Sequence, residues 1–360
     1  LYGRELNAAE VRRVFTGDRA GEPDGPAPAM VEALDALLRA REQLAAALDQ
    51  TDEIMVMREM KEPRTTWVLE RGRYDAHGEE VRPATPAALP PLPADQPANR
   101  LGLARWLTDP SHPLTARVIV NRIWQMHFGR GLVRTAEDFG MQGDPPSHPA
   151  LLDWLAVTFR ESGWDMKALH RLIVTSATYR QSSVAPRQAY LDDPDNRLLG
   201  RGPRYRLPAE MLRDQALAAS GLLVNRLGGA AAHPYDLAES FIPSTPGKGA
   251  DLYRRSLYGH WQRNAPSPLL TSFDAPTREV CTVRRETTTS PLQALVLLNA
   301  PQFVEASRVL AEHLLQVHGA NDEALLREAF IRFTGREPGA ADQRILQEQL
   351  REHRAYFDAH

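Results

Sequence analysis

Between Asp251 and Asn299 the chain concentrates groups that can carry charge, bind anions or move protons. It reads Asp251-Leu-Tyr-Arg-Arg-Ser-Leu-Tyr258, then Phe273-Asp-Ala-Pro276, Arg278-Glu279, Cys281 and Arg284-Arg285-Glu286. Too few apolar residues separate these groups for an ordinary core helix. Buried polar groups must be paired, so such a block is either a site or a polar lock. Asp274 needs a partner, and Arg278, Arg284 or Arg285 can offer a bidentate fork. In a site, Asp274 is a general base or an acceptor for a sugar hydroxyl; in a lock, it staples a loop. Glu279, Asp138 or Asp214 can supply the second carboxylate that a glycosidase needs, at a separation of about 5 to 9.5 Å. Cys281 lies among arginines that favour its thiolate; the alternative is a small buried hydrophobe, the usual fate of a free cysteine.

A second constellation lies on the predicted helix Thr115 to Phe128. Arg117, Asn121, Trp124 and Phe128 fall at i, i+4, i+7 and i+11, which places them on one face. That face can bind a sugar or an anion, or it can pack inward while its polar groups tie down loop carbonyls. Arg197, Arg201, Arg204 and Arg206 form a basic run suited to an anionic glycan such as a sulfated polysaccharide, although Asp192, Asp193 and Asp195 stand beside it. The candidate binding residues are therefore Arg117, Asn121, Trp124, Asp274, Arg278 and Arg285. Asp138, Asp144 and His148 fit no calcium loop, no histidine pair has zinc-helix spacing, and no metal ligands are assigned. Phosphate-loop, nucleophile-elbow and dinucleotide-binding fingerprints are missing.

The elements that must hold these groups are mainly helical. Ala29 to Asp49 has apolar residues at helical spacing. Thr65 to Glu70 and Glu80 to Arg82 predict a small β-hairpin. Pro83 to Pro97 holds six prolines and reads as a semi-rigid connector. Beyond it, helices are predicted from Asn99 to before Pro110, Thr115 to Phe128, Leu151 to Arg160, Met166 to Tyr179 and Pro208 to Gly221. Ser290-Pro-Leu-Gln293 is a capping box opening a helix to Leu298. Three more are predicted at Pro301 to Leu315, Asp322 to Phe333 and Ala340 to Phe357, with a further possible strand at Arg255 to Trp261. The expected class is mainly α: a multi-helix globular domain with long loops, preceded by a small β-hairpin. Its organisation is a polar segment and helix over 1–50, a β element and proline-rich linker over 51–97, and a helical domain over 98–360. Residues 1–28, polar and broken by Gly and Pro, read as a mobile segment.

Composition narrows the function classes. Charge is nearly balanced, with 43 Lys+Arg against 46 Asp+Glu, which argues against a general nucleic-acid binder. No apolar run is long enough to span a bilayer. One cysteine leaves no internal disulfide, no four-cysteine zinc site and no Cys-x-x-Cys-His haem attachment. The chain opens at Leu1 and is read as a C-terminal piece, with any targeting sequence upstream.

Several ordered blocks carry a family resemblance. They include Asn99-Arg-Leu-Gly-Leu-Ala-Arg-Trp-Leu107, Thr115 through Val133, Glu137-Asp-Phe-Gly140, Ser147-His-Pro149, Ser176-Ala-Thr-Tyr-Arg180, Asp195-Asn-Arg197 and Arg213-Asp214, with Asp251 to Asn299 following. In this order they resemble the Planctomycete-specific C-terminal domain family of unknown function, over roughly residues 98 to 350. Ser290 departs from the threonine expected there, and a cap survives either choice. The resemblance implies an exported protein, periplasmic or at the cell surface. It implies upstream cytochrome-c-type and other modules in the same polypeptide as partners, with any haem in those modules and no cofactor in this chain. It supplies no catalytic residues, so whether the domain is an enzyme stays open. Three readings stand: a non-redox module that binds complex polysaccharide, a carboxylate-dependent glycan hydrolase, and a structural domain that docks an upstream haem module.

Overall fold

The computed structural model describes residues 28–49, 54–234, 246–263 and 265–360. The polar segment expected over residues 1–28 lies almost wholly outside them. Thirteen α-helices and one two-stranded antiparallel sheet make up the regular structure of the described residues, so the class is mainly α. No helix among them is long and apolar enough to cross a membrane.

The chain divides into two units. The first comprises residues up to Ala84 together with Pro97–Leu101. It carries α1 (Pro28–Asp49) and the hairpin of β1 (Thr66–Leu69) and β2 (His77–Val81). The pairing Thr66 with Val81 and Trp67 with Glu80 shifts before Leu69 meets His77. Trp67 and His77 stack with ring centres 4.2 Å apart. The apolar run Ile54 to Met57 is exposed and forms no regular element.

The second unit holds Thr85–Gln96 and everything from Gly102 onward. Its proline-rich stretch is tied down, because the buried Trp106 indole donates to the Pro90 carbonyl at 2.7 Å. After α2 (Arg100–Leu107) come α3 (Thr115–Phe128), α4 (Pro149–Glu161) and α5 (Met166–Thr175). Their apolar faces build one core from Val120, Ile123, Trp124, Leu155, Phe159 and Ile173. The helix predicted from Met166 to Tyr179 breaks at Ser176, which adopts extended geometry. The Ser176 side chain accepts from the Tyr179 amide and starts the short α6 (Ala177–Arg180). A second serine-type cap inside an apolar run outweighed helix continuity there.

Next come α7 (Arg187–Asp192), α8 (Ala209–Ser220) and α9 (Pro268–Ser272), then α10 (Pro291–Asn299), α11 (Pro301–His318), α12 (Asp322–Thr334) and α13 (Ala340–Ala359). The α8 helix packs on α9, α11 and α12, and α12 packs on α13. Ala209, Leu270, Phe273, Ala275 and Phe303 form the second core. At the start of α10 the Gln293 side chain accepts from the Ser290 amide at 3.4 Å, the reach-back half of the expected capping box. The strand expected from Arg255 to Trp261 does not form. Residues Ser256–Tyr258 make a 3-10 turn, and only isolated bridges join Arg254 to Val224 and Gly259 to Ala232.

Two buried arginines explain that irregular stretch. Arg213 on α8 is 1% exposed and donates to Gln302, to the Leu252 and Arg254 carbonyls and to the Ser256 hydroxyl. Arg254 donates to the carbonyls of Arg226, Gly228 and Ala230 and lies over the Tyr258 ring. These guanidinium groups supply the donors that a sheet would otherwise supply.

Candidate functional site

The α3 helix ends at Gly129, whose left-handed backbone (φ 76°) sends its amide to the Gln125 carbonyl. The loop that follows is pinned from below. Asn121, 0% exposed, donates to the Val133 carbonyl at 3.0 Å and accepts from the Val133 amide at 2.8 Å. Gly131 allows that approach, since a Cβ there would stand 2.5 Å from the Val133 oxygen and 2.6 Å from the Asn121 amide nitrogen. With its backbone held, the loop presents Arg130 and Arg134 outward.

Opposite them runs the segment from Pro194 to Arg206. Asp193 accepts from the Arg197 and Leu198 amides at 2.8 Å each. Burial would raise its pKa, but those two amides and the charges of Arg201 and Arg197 outweigh it and hold the carboxyl below its ordinary value. Arg201 turns inward onto the carbonyls of Ala189, Asp193 and Pro194 and over the Tyr190 ring. Tyr205 donates its hydroxyl to the Met126 carbonyl at 2.8 Å. Burial, then the neighbouring Tyr179, raises its pKa.

Two adjoining hollows lie between these walls and the exposed loop Thr277 to Thr289. One has a volume of about 540 Å³ and the other about 770 Å³, and they share Gly129, Arg130, Gly131, Arg134 and Thr287. Among the described residues, eight arginines and four carboxylates line the combined cleft. Two of the carboxylates are paired with arginines: Arg130 with Asp195 at 2.7 Å, and Arg134 with Asp144 at 2.9 Å. A guanidinium has five N–H donors, so each of these arginines keeps donors for a ligand. Among the described residues, Arg204 has no hydrogen-bond or ion-pair partner.

The six candidate residues separate in this geometry. Trp124 and Arg285 line the cleft. Asn121 lies beneath it and Arg117 is elsewhere, paired with Asp153 at 2.7 Å and donating to the Pro113 carbonyl. The α3 face thus packs inward, Trp124 stacking on Phe128. Asp274 pairs with Arg206, not with the arginines that follow it in sequence, and accepts from the Thr288 amide and hydroxyl. Its backbone is left-handed (φ 61°), as is that of Arg278 (φ 64°). Arg278 lies over the Trp261 ring and Arg285 pairs with Glu210 at 2.7 Å. Burial would raise the Glu210 pKa, but the Arg285 hydrogen bond and the charges of Arg285 and Arg278 leave it lowered.

The other carboxylates named for hydrolysis are also engaged. Asp138 holds the Gly140 amide, Asp214 holds the Ser256 amide and hydroxyl, and Glu279 faces Arg263 at 3.9 Å. Cys281 is exposed, against the expectation of a small buried hydrophobe, because its whole loop lies outside the core. Among the described residues no cluster of three or more His, Cys, Asp or Glu could hold a metal. Asp144 serves Arg134, and His148 meets Ser147, so the trio with Asp138 does not converge. Sequence reasoning named the 197–206 arginines but not Arg130, Arg134 or Tyr205; Gly129-Arg-Gly131, a helix stop with an arginine inside it, was the available signal.

Fold and cleft together define a mainly helical domain with an arginine-rich, open groove. A family model described as PSD1, protein of unknown function (DUF1553), matches residues 99–350. The chain belongs to this family. No curated protein matches the chain, and no solved structure does.

Proposed function

We propose that this domain is a binding module whose cleft holds an anionic polysaccharide. The observation that carries the reading is the two-to-one excess of arginine over carboxylate around an open groove in a chain whose net charge is −3. Guanidinium forks match sulfate and carboxylate groups, and an open groove suits a polymer passing through. Engagement of Asp274, Asp138, Asp214 and Glu279 in structural contacts gives the hydrolase reading no comparable support. The family resemblance supplies the setting: an exported planctomycete-type protein, with cytochrome-c-type modules upstream and any haem held there. In that setting this domain captures polymer and the upstream modules carry redox chemistry.

The test is a titration of the chain with a sulfated galactan and with a neutral glucan at low salt. The sulfated polymer is expected to bind and the neutral one not. The double variant Arg197→Ser/Arg204→Ser, which removes two exposed arginines, is expected to bind at least about ten-fold more weakly with an unchanged Tm. Equal binding of both polymers, or of neither, sinks the reading.

A further inference from the structure

Arginines alone hold any anion, an inorganic one included. Tyr205 differs from them, because it brings an aromatic ring to the lining of the same cleft, the residue as a whole being 42% exposed. That ring is fixed at two points. Its hydroxyl is tied to the Met126 carbonyl, and its inner edge rests on Gly129, where an added Cβ would stand 3.1 Å from Cδ1 and 3.2 Å from Cγ. Arg204 and Arg206 flank it in sequence and line the same cleft. Arg206 is held by Asp274 and by the Phe273 carbonyl, whereas Arg204 is unengaged among the described residues.

We propose that Tyr205 is the platform of a sugar subsite, stacking one pyranose ring while Arg204 takes an anionic substituent of the bound glycan. The inference rests on the reading of the cleft as an anionic-glycan site and adds the residue that tells a sugar from a bare anion. The C–H face of a pyranose is apolar and slightly positive, and it suits the negative face of an aromatic ring. A ring already fixed in place loses little freedom on binding. The sugar's anionic group is a sulfate ester or a uronic carboxylate, since a guanidinium fork accepts either.

Calorimetry on the whole chain with four probes tests this: a sulfated galactan oligosaccharide, an oligogalacturonate, inorganic sulfate and poly(U). Tyr205→Leu is expected to weaken at least one oligosaccharide about ten-fold and leave inorganic sulfate unchanged. Whichever oligosaccharide responds identifies the substituent. Tyr205→Phe, which keeps the ring and loses the tether, is expected to stay within about three-fold of wild type. Arg204→Ser is expected to weaken the responding oligosaccharide and inorganic sulfate alike. Oligosaccharide binding by Tyr205→Leu equal to wild type overturns the platform and leaves the cleft reading intact. An equal loss for sulfate and sugar overturns it too, as does tighter binding of poly(U) than of either sugar with the same Tyr205 dependence. A wild-type chain that binds none of the probes overturns the cleft reading itself.

Discussion

Asp274 is a carboxylate placed where only a few residue types sit comfortably. Its left-handed backbone is open to Asn as well as Asp, so Asp274→Asn removes the charge and little else. The side chain is 19% exposed and its partner Arg206 20%, which makes the pair costly to break but not fully desolvated. The substitution is expected to lower stability by about 1 to 3 kcal/mol in urea unfolding. An unchanged midpoint would show that the carboxylate is not a structural lock. Asn121 offers a cleaner case. Its amide satisfies both polar groups of Val133 inside the core, so Asn121→Ala is expected to cost about 2 to 4 kcal/mol. A loss below about 0.5 kcal/mol would mean the loop does not depend on it.

At the scale of elements, several side chains join α8 to its surroundings, and Arg213 is the most buried of those that bond outward. Arg213 links it to Gln302 on α11 and to the carbonyls of the 252–254 stretch. Arg213→Leu strands those acceptors and is expected to cost about 3 to 5 kcal/mol, read as a large fall in Tm or loss of soluble protein. Wild-type Tm in that variant would remove Arg213 from the account. Between α3 and α5, His127 meets His170 at 2.8 Å. Burial, then the His170 charge, lowers the His127 pKa below its ordinary value. The folded state therefore holds fewer protons on His127 than the unfolded state does in that window. This stability is complete above the ordinary histidine pKa and is lost as pH falls through the lowered one. Tm is expected to fall between pH 7.5 and pH 5, with a shallower fall in His127→Phe; parallel profiles would refute the assignment. Most helices were legible because their caps and stops are local: Asp165 accepts from the Ala168 amide, and Gly221 and Gly335 take left-handed geometry. The break at Ser176 was missed because a local serine cap competes there with a continuing apolar helix, and the arginine-stapled 252–259 stretch was not legible because its outcome depends on partners distant in sequence.

For the whole molecule, charge is near balance in total and uneven in place. A net −3 chain that gathers eight arginines around one groove should attract polyanions only while salt leaves the field unscreened. Affinity for a sulfated polymer is expected to drop about ten-fold or more between 50 and 300 mM NaCl; a salt-independent affinity would point to apolar capture elsewhere. The basic run at 197–206 was visible in sequence, but its meeting with Arg130 and Arg134 required the fold. The loop from Thr277 to Thr289 closes the far side of the groove, and its two ends are clasped where Thr288 bonds to Asp274. Because that clasp shuts the loop at its base, residues between can lengthen or change without reaching the core. The fold thus contains a natural insertion point beside its groove, where a lineage could exchange one polymer preference for another while leaving the helices untouched.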